Sequence, residues 1–390
     1  MRFLGKATLF AVVATTMVSV SASQANADFI FSLQGNGYST APITSRDSGI
    51  DKAADGRLVN YGSVGGNGIS GKPAISYQNA DGTWTAPQIL KSADGQVRNG
   101  YISNHTVDSH GVDQFTGGAM TTGTDPRGIG EAHTWTGAGV PTGYGYIAPD
   151  NTSGFLAVSK NGVAVGDSFG LAAYSQGNSL VALPNGAGFA TDILKDGSVI
   201  VGAGTDGGLR SWVLTADGYR YQPTTLPTGA LDAGIFSNVV QGLTSPLALG
   251  EFYLNGSEHA GLFNPLTGAF LKDFGAGTND IDAVSLHGVG TFLFSDLAGT
   301  QFLYMEGMQN AITLASLPGL PNGFKAAGLY EGSLGLYGTN GQGQFVTGEY
   351  TASVTAVPEP GTLLLFATGM VAMVVYLAAQ RRKVEQGARA

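Results

Sequence analysis

A chain of 390 residues without a single cysteine forms no disulfide, no zinc–thiolate site and no cysteine nucleophile. Charged residues make up 12% of it and hydrophobic residues 43%, a balance that excludes wholesale disorder and allows one large repeat domain or two ordinary ones. Between Asp28 and Pro360 stand 13 basic and 27 acidic residues, a net charge of −14, and that sign repels nucleic acid at long range.

The N-terminus reads as a secretory signal over residues 1–27. Arg2 and Lys6 give a basic start, Leu9 to Val20 is apolar, and Ala25-Asn26-Ala27 fits the small-x-small cleavage pattern. The Sec export machinery is the implied partner, and cleavage at Ala27 is expected.

From residue 28 to 355 no long helical period is present. Short runs of Val, Ile, Leu, Phe and Tyr alternate with Gly, Asn, Asp and Ser clusters, which is the pattern of an all-β domain. Asp-Gly and Asn-Gly pairs mark hairpins at Asp55-Gly56, Asp81-Gly82, Asp94-Gly95, Asn161-Gly162, Asp196-Gly197, Asp217-Gly218 and Asn340-Gly341. Two stretches repeat clearly: Ala157 to Gly166 and Thr191 to Gly202. Each is a strand, a polar Gly turn, a β-branched strand and a terminal Gly. An aromatic strand follows, Ala172-Ala173-Tyr174 in one and Arg210-Ser211-Trp212 in the other. Weaker copies place the marker glycines at 56, 111, 162, 197, 242, 288 and 332, a mean period of 46 residues. That is the length of a four-stranded propeller blade. The fold expected is a seven-bladed β-propeller, closed by Phe29-Ile30-Phe31 pairing with Thr347 to Val354; two β-sandwiches or a β-solenoid are the alternatives. The two clear copies also resemble the HAF-type extracellular repeats.

Candidate chemistry in the body is sparse. Gly166-Asp167-Ser168-Phe169-Gly170 fits G-x-S-x-G, but no helical period follows to lift Ser168 onto a nucleophile elbow. Gly66-Asn67-Gly68-Ile69-Ser70-Gly71 fits G-x-G-x-x-G, but Pro73 blocks the helix that a dinucleotide site needs. The histidines at 105, 110, 133, 259 and 287 show no metal-ligand spacing. His110 and His287 read as turn residues, His133 and His259 as members of the aromatic strand. Asp280 and Asp282, or Asp125, offer a structural calcium at a loop, without the full calcium-loop pattern. Trp84, Trp135 and Trp212 read as filling between sheets, with a sugar-stacking surface as the alternative. No catalytic residue, metal ligand or cofactor is assigned.

The tail is the most specific stretch. Val357, Pro358, Glu359 and Pro360 form an extended linker over residues 356–361, since the prolines block helix and ladder pairing. An apolar run from Leu363 to Ala379 follows, within a segment of residues 362–380 expected to be a transmembrane helix. At about 1.5 Å per residue it reaches across a bilayer core of roughly 30 Å. Arg381, Arg382 and Lys383 then fix a cytoplasmic end over residues 381–390.

This order of parts resembles the PEP-CTERM sorting signal of Gram-negative bacteria. The resemblance covers about the last 30 residues and departs from the family in the seven residues after Lys383. It implies an exosortase, a membrane transpeptidase-like enzyme, acting near Pro358-Glu359-Pro360. The protein would then be held in the inner membrane and later reach the cell surface or the medium. Two function classes fit. One is a non-catalytic binding or structural module associated with extracellular polysaccharide. The other is a secreted polysaccharide lyase or hydrolase with its site in the propeller channel. No spacing in the sequence demands a catalytic cluster, which favours the first.

Overall fold

The computed structural model describes residues 28–355, apart from 35–36, 46–47, 68–69, 121–129, 148–151 and 332–333. The expected signal peptide of residues 1–27, the linker of residues 356–361, the expected transmembrane segment of residues 362–380 and the basic end of residues 381–390 lie outside the described residues. Among the described residues, no helix is long and apolar enough to cross a membrane. Contacts divide the chain into two units. Of the described residues, the main one holds those of 31–306 and 310–352, and the other holds 28–30, 307–309 and 353–355.

The described residues are almost entirely strand, joined by tight turns. β1 (Asp28–Leu33) and β2 (Ser39–Thr40) come first. One sheet then holds β3 (Gly49–Lys52), β4 (Leu58–Val64), β5 (Lys72–Tyr77) and β6 (Gln88–Ile89). The next holds β7 (Gly100–Val107), β8 (Asp113–Met120), β9 (Gly130–Thr136) and β10 (Pro141–Gly143). A seven-stranded sheet follows: β11 (Ser153–Val158), β12 (Ala164–Ser168), β13 (Leu171–Gln176), β14 (Ser179–Ile193), β15 (Val199–Gly204), β16 (Leu209–Thr215) and β17 (Gly218–Gln222). Then come β18 (Ala230–Gln241), β19 (Pro246–Leu254), β20 (Ser257–Asn264) and β21 (Ala269–Ala276) as one sheet. Another holds β22 (Thr278–Leu286), β23 (Val289–Asp296), β24 (Gln301–Met305) and β25 (Ile312–Thr313). A 3-10 turn at Leu314–Ser316 leads to β26 (Lys325–Tyr330), β27 (Leu334–Thr339) and β28 (Phe345–Thr355). In this last sheet β1 lies beside β28, so the first described strand completes the last described sheet.

The repeat read in the sequence has a physical register. Each described marker glycine falls in the turn between the first and second strands of a sheet or half-sheet. Gly332 lies outside the described residues. At Gly197 the turn takes φ +78°, a region that costs a side chain energy and glycine little. The preceding Asp196 supplies the rest, because its Oδ1 accepts the Ser198 N–H at 2.8 Å. The short interval from Gly162 to Gly197 also has a cause. β14 is continuous: Ser179 to Ala187 pair with β13, and Gly188 to Ile193 pair with β15. It ends one four-strand run and begins the next, so no connecting loop is needed.

The first strands β3, β7, β11, β14, β18, β22 and β26 touch one another in chain order, and β26 returns to β3. Apolar cores lie between successive sheets. Val59, Ile75 and Ile102 pack with Phe115 and Trp135, while Ile50 and Leu58 pack with Tyr330 and Phe345 where the last sheet meets the first. The aromatic strand is the third strand of its sheet. Trp135 and Trp212 are fully buried there, and each indole donates to a carbonyl of the preceding segment, Lys91 at 2.6 Å and Pro184 at 2.7 Å. Burial of rings this large is a main stabilising contribution, and the satisfied N–H makes it possible.

Candidate functional site

All seven first strands line one cavity of about 830 Å³. Six of those strands carry a bulge at the same place: Ser103, Leu156, Thr191, Ser237, Ile281 and Ala327 are each skipped in the ladder. A bulge re-aims the side chains around it. The residue after the bulge is Asn104, Asp192, Asn238 or Asp282 in four strands. Asp51 holds the matching place in β3, paired with Val59 as Asp192 is with Val201.

These carboxylates tie neighbouring first strands together. Asp192 accepts the Ile193 N–H and, from the next first strand, the Val239 N–H at 2.7 Å. Asp282 does the same with Ala283 and Leu329, and also accepts the Asn238 amide at 3.2 Å. Burial pushes both carboxyls up to about 7; for Asp282 the charges of Asp192 and Asp51 add to it.

Asp51 departs from this pattern. Its Oδ2 meets His105 Nδ1 at 3.0 Å, and His105 Nε2 meets Asp113 Oδ1 at 3.1 Å. The imidazole is fully buried between two carboxylates. Burial opposes its charge, but the hydrogen bonds to Asp113 and Asp51 outweigh burial and raise its pKa. The same bonds hold Asp51 and Asp113 below the ordinary carboxylate range against their own burial. With both nitrogens donating, His105 has no lone pair for proton abstraction. At the rim Lys195 pairs with Glu331 at 2.7 Å. Burial opposes the lysine's charge, but Glu331, Asp51 and Asp192 together raise its pKa.

Other residues singled out by sequence lie elsewhere. Ser168 ends β12, is buried, and its Oγ accepts the Ile147 N–H at 3.2 Å, with strand β13 following instead of a helix. His133 stacks on Trp135 and accepts the Ala93 N–H; burial lowers its pKa. His259 bonds Asp273 at 2.9 Å on β20 and β21. His110 sits in an exposed turn, and His287 lines the cavity from a turn at φ +52°. Asp280 and Asp282 do not converge: the bulge at Ile281 sends Asp282 to the cavity and leaves Asp280 beside Glu251, whose carboxyl burial and the Asp280 charge push up to about 8. Among the described residues, no group of three or more His, Asp or Glu could hold a metal ion. Asp125, Ala25, Ala27, Val357, Pro358, Glu359, Pro360, Arg381, Arg382 and Lys383 lie outside the described residues.

Sequence reasoning missed the Asp51, Asp192 and Asp282 set and the role of His105. A signal existed, since these aspartates stand five or six residues before marker glycines 56, 197 and 288.

Comparison with known proteins separates body from tail. A chain of a mitotic checkpoint complex is similar to this chain with a TM-score of 0.53 and 12% identity, covering 82% of this chain and 93% of that one. Its likeness concerns the all-β, propeller-like fold alone. A virginiamycin B lyase from Staphylococcus aureus gives a TM-score of 0.48 at 13% identity, covering 83% and 99%. A Trypanosoma rangeli sialidase gives 0.40 at 13% identity, covering 88% and 61%. Those two likenesses say nothing about the activity of this chain. No curated protein is significantly similar to it in sequence. Residues 356–383 match the PEP-CTERM protein-sorting motif. The chain therefore carries, at its C-terminal end, the mark of an exported protein that an exosortase, a membrane sorting enzyme, processes.

Proposed function

We propose that this is a non-catalytic binding module of the cell surface: a seven-bladed β-propeller that engages extracellular polysaccharide. In this reading residues 28–355 form the propeller, residues 362–380 hold it in the inner membrane after export, and processing at the linker sends it to the surface or the medium. The carrying observation is the state of the cavity's charged groups. Asp51, Asp192 and Asp282 are engaged with backbone N–H groups or with His105, both His105 nitrogens are occupied, and Lys195 is paired with Glu331. A lyase or hydrolase needs a base or nucleophile free to meet its substrate, and these groups are committed to the protein; of the other ionisable lining groups, Lys160 and His287 stand at exposed turns. The polymer follows from the sorting tail and the polar cavity together. The test is co-sedimentation of the full-length protein with the exopolysaccharide of its host, followed by size-exclusion chromatography of the polymer. Retention with unchanged polymer length is expected. A shortened polymer would select the enzyme instead.

A further inference from the structure

The aspartates of the cavity wall, with His105, Lys195 and Glu331, are engaged within the protein, while Lys160 and His287 line it at exposed turns; two of its phenols carry no such bond. Tyr61 and Tyr337 stand on β4 and β27, the second strands of the first and last sheets, yet both line the cavity. They reach it because two first-strand positions carry no side chain. A Cβ on Gly49 would collide with the Tyr61 ring and hydroxyl, and one on Gly328 with the Tyr337 hydroxyl and Asp282 Oδ2. Tyr61 is 7% exposed. Among the described residues, neither its hydroxyl nor that of Tyr337 has a hydrogen-bond partner. Neither hydroxyl is among the fully buried unpartnered atoms, so both are open to the cavity. The open hydrogen-bonding groups of the cavity thus include two neutral phenols.

We propose that the cavity binds an uncharged, polyhydroxylated ligand, a sugar unit, through the hydroxyls of Tyr61 and Tyr337. This rests on the binding-module reading above and names the chemistry of its site. A sugar hydroxyl donates and accepts, as a phenol does, and a sugar's C–H face packs on an aromatic ring. Both phenols stay protonated, since burial first and then the charges of nearby aspartates raise them well above the ordinary value. A ligand charge placed on Asp51, Asp192, Asp282 or Lys195 would have to compete with bonds already formed inside the protein. The volume, about 830 Å³, falls in the small-ligand range of roughly 300–1,000 Å³.

The test is calorimetric titration of the full-length protein in a zwitterionic, sugar-free detergent. The probes are glucose, galactose, N-acetylglucosamine, maltose and cellobiose, with glucuronate and spermidine as charged competitors. At least one neutral sugar should bind, and Tyr61→Phe and Tyr337→Phe should each weaken it about tenfold. Phenylalanine keeps the ring and its packing, and a melting curve by circular dichroism checks the fold. Tyr219→Phe is the control, because that phenol donates to the Gly197 carbonyl at 2.6 Å and does not line the cavity; it should leave binding unchanged. Silence from every neutral sugar, preference for glucuronate or spermidine, or unchanged affinity in the Tyr61→Phe, Tyr337→Phe double variant would overturn the proposal. A sugar that binds and is chemically converted would uphold it while overturning the non-catalytic reading.

Discussion

His105 is the residue whose environment is most unlike its sequence appearance. Nothing around Asn104-His105-Thr106 signals an ion pair, because both partners come from elsewhere: Asp51 from the neighbouring sheet and Asp113 from the paired strand. Removing a buried cation leaves two carboxylates uncompensated, so His105→Leu should cost about 3–5 kcal/mol. The pH dependence has two limbs. The histidine's folded pKa is raised, so its contribution is complete below about 6.5 and is lost as pH rises through the folded value. The aspartates are lowered, so theirs is complete above about 3.9 and is lost as pH falls. The gap in urea midpoint between wild type and variant should therefore be widest between roughly pH 4 and 6.5. A gap that stays constant from pH 3 to 9 would mean that His105 is held neutral. The serine of Gly166-Asp167-Ser168-Phe169-Gly170 teaches the converse. A motif match without its strand-turn-helix context places a buried hydroxyl on a backbone amide.

At the scale of elements, the first-strand aspartates act as latches between sheets, and two of them, Asp192 and Asp282, shift in the opposite sense to Asp51. The folded pKa of Asp192 and of Asp282 is raised to about 7, so the folded state holds more protons than the unfolded one between roughly pH 4 and 7. Their contribution is therefore largest at low pH and fades as pH rises to 7. An Asp192→Asn, Asp282→Asn double variant should lose this slope, since an amide does not titrate. It should also be less stable at pH 5 by about 1–3 kcal/mol per site, because one amide N–H then faces a backbone N–H. Thermal melts at pH 5 and 7.5 measure both effects, and an unchanged slope would assign the titration to other groups. The elements themselves were largely legible. Asp-Gly turns, the aromatic third strand and the marker glycines depend on local backbone rules, and short-range pattern reports them. The latches were not, because Asp51, Asp192 and Asp282 act across intervals of about one sheet, onto amides or a side chain of the following strand. The bulges that aim them leave no composition of their own, as Ser103, Leu156, Thr191, Ser237, Ile281 and Ala327 have nothing in common.

For the whole molecule, the tail decides where the rest must work, and it was readable because sorting machinery reads linear sequence too. Prolines at 358 and 360 can neither join a helix nor complete a ladder. Glu359 between them keeps the stretch polar, and the apolar run from Leu363 to Ala379 would hold it at a membrane surface, with Arg381, Arg382 and Lys383 resisting passage of the chain. In the proposed reading, insertion and processing would depend on different residues and could be separated. Replacing Pro358, Glu359 and Pro360 with alanine leaves the apolar run intact, so membrane insertion should persist, while exosortase processing should fail. In a host carrying that enzyme, wild type should leave the inner membrane in shortened form, and the triple variant should stay there at full length. Fractionation with mass spectrometry of the C-terminal peptide distinguishes the two. If both remain full-length in the inner membrane, the segment serves as a permanent anchor. If both are shortened alike, recognition lies in the apolar run or the basic cluster, and substitution of Arg381 and Arg382 becomes the decisive variant.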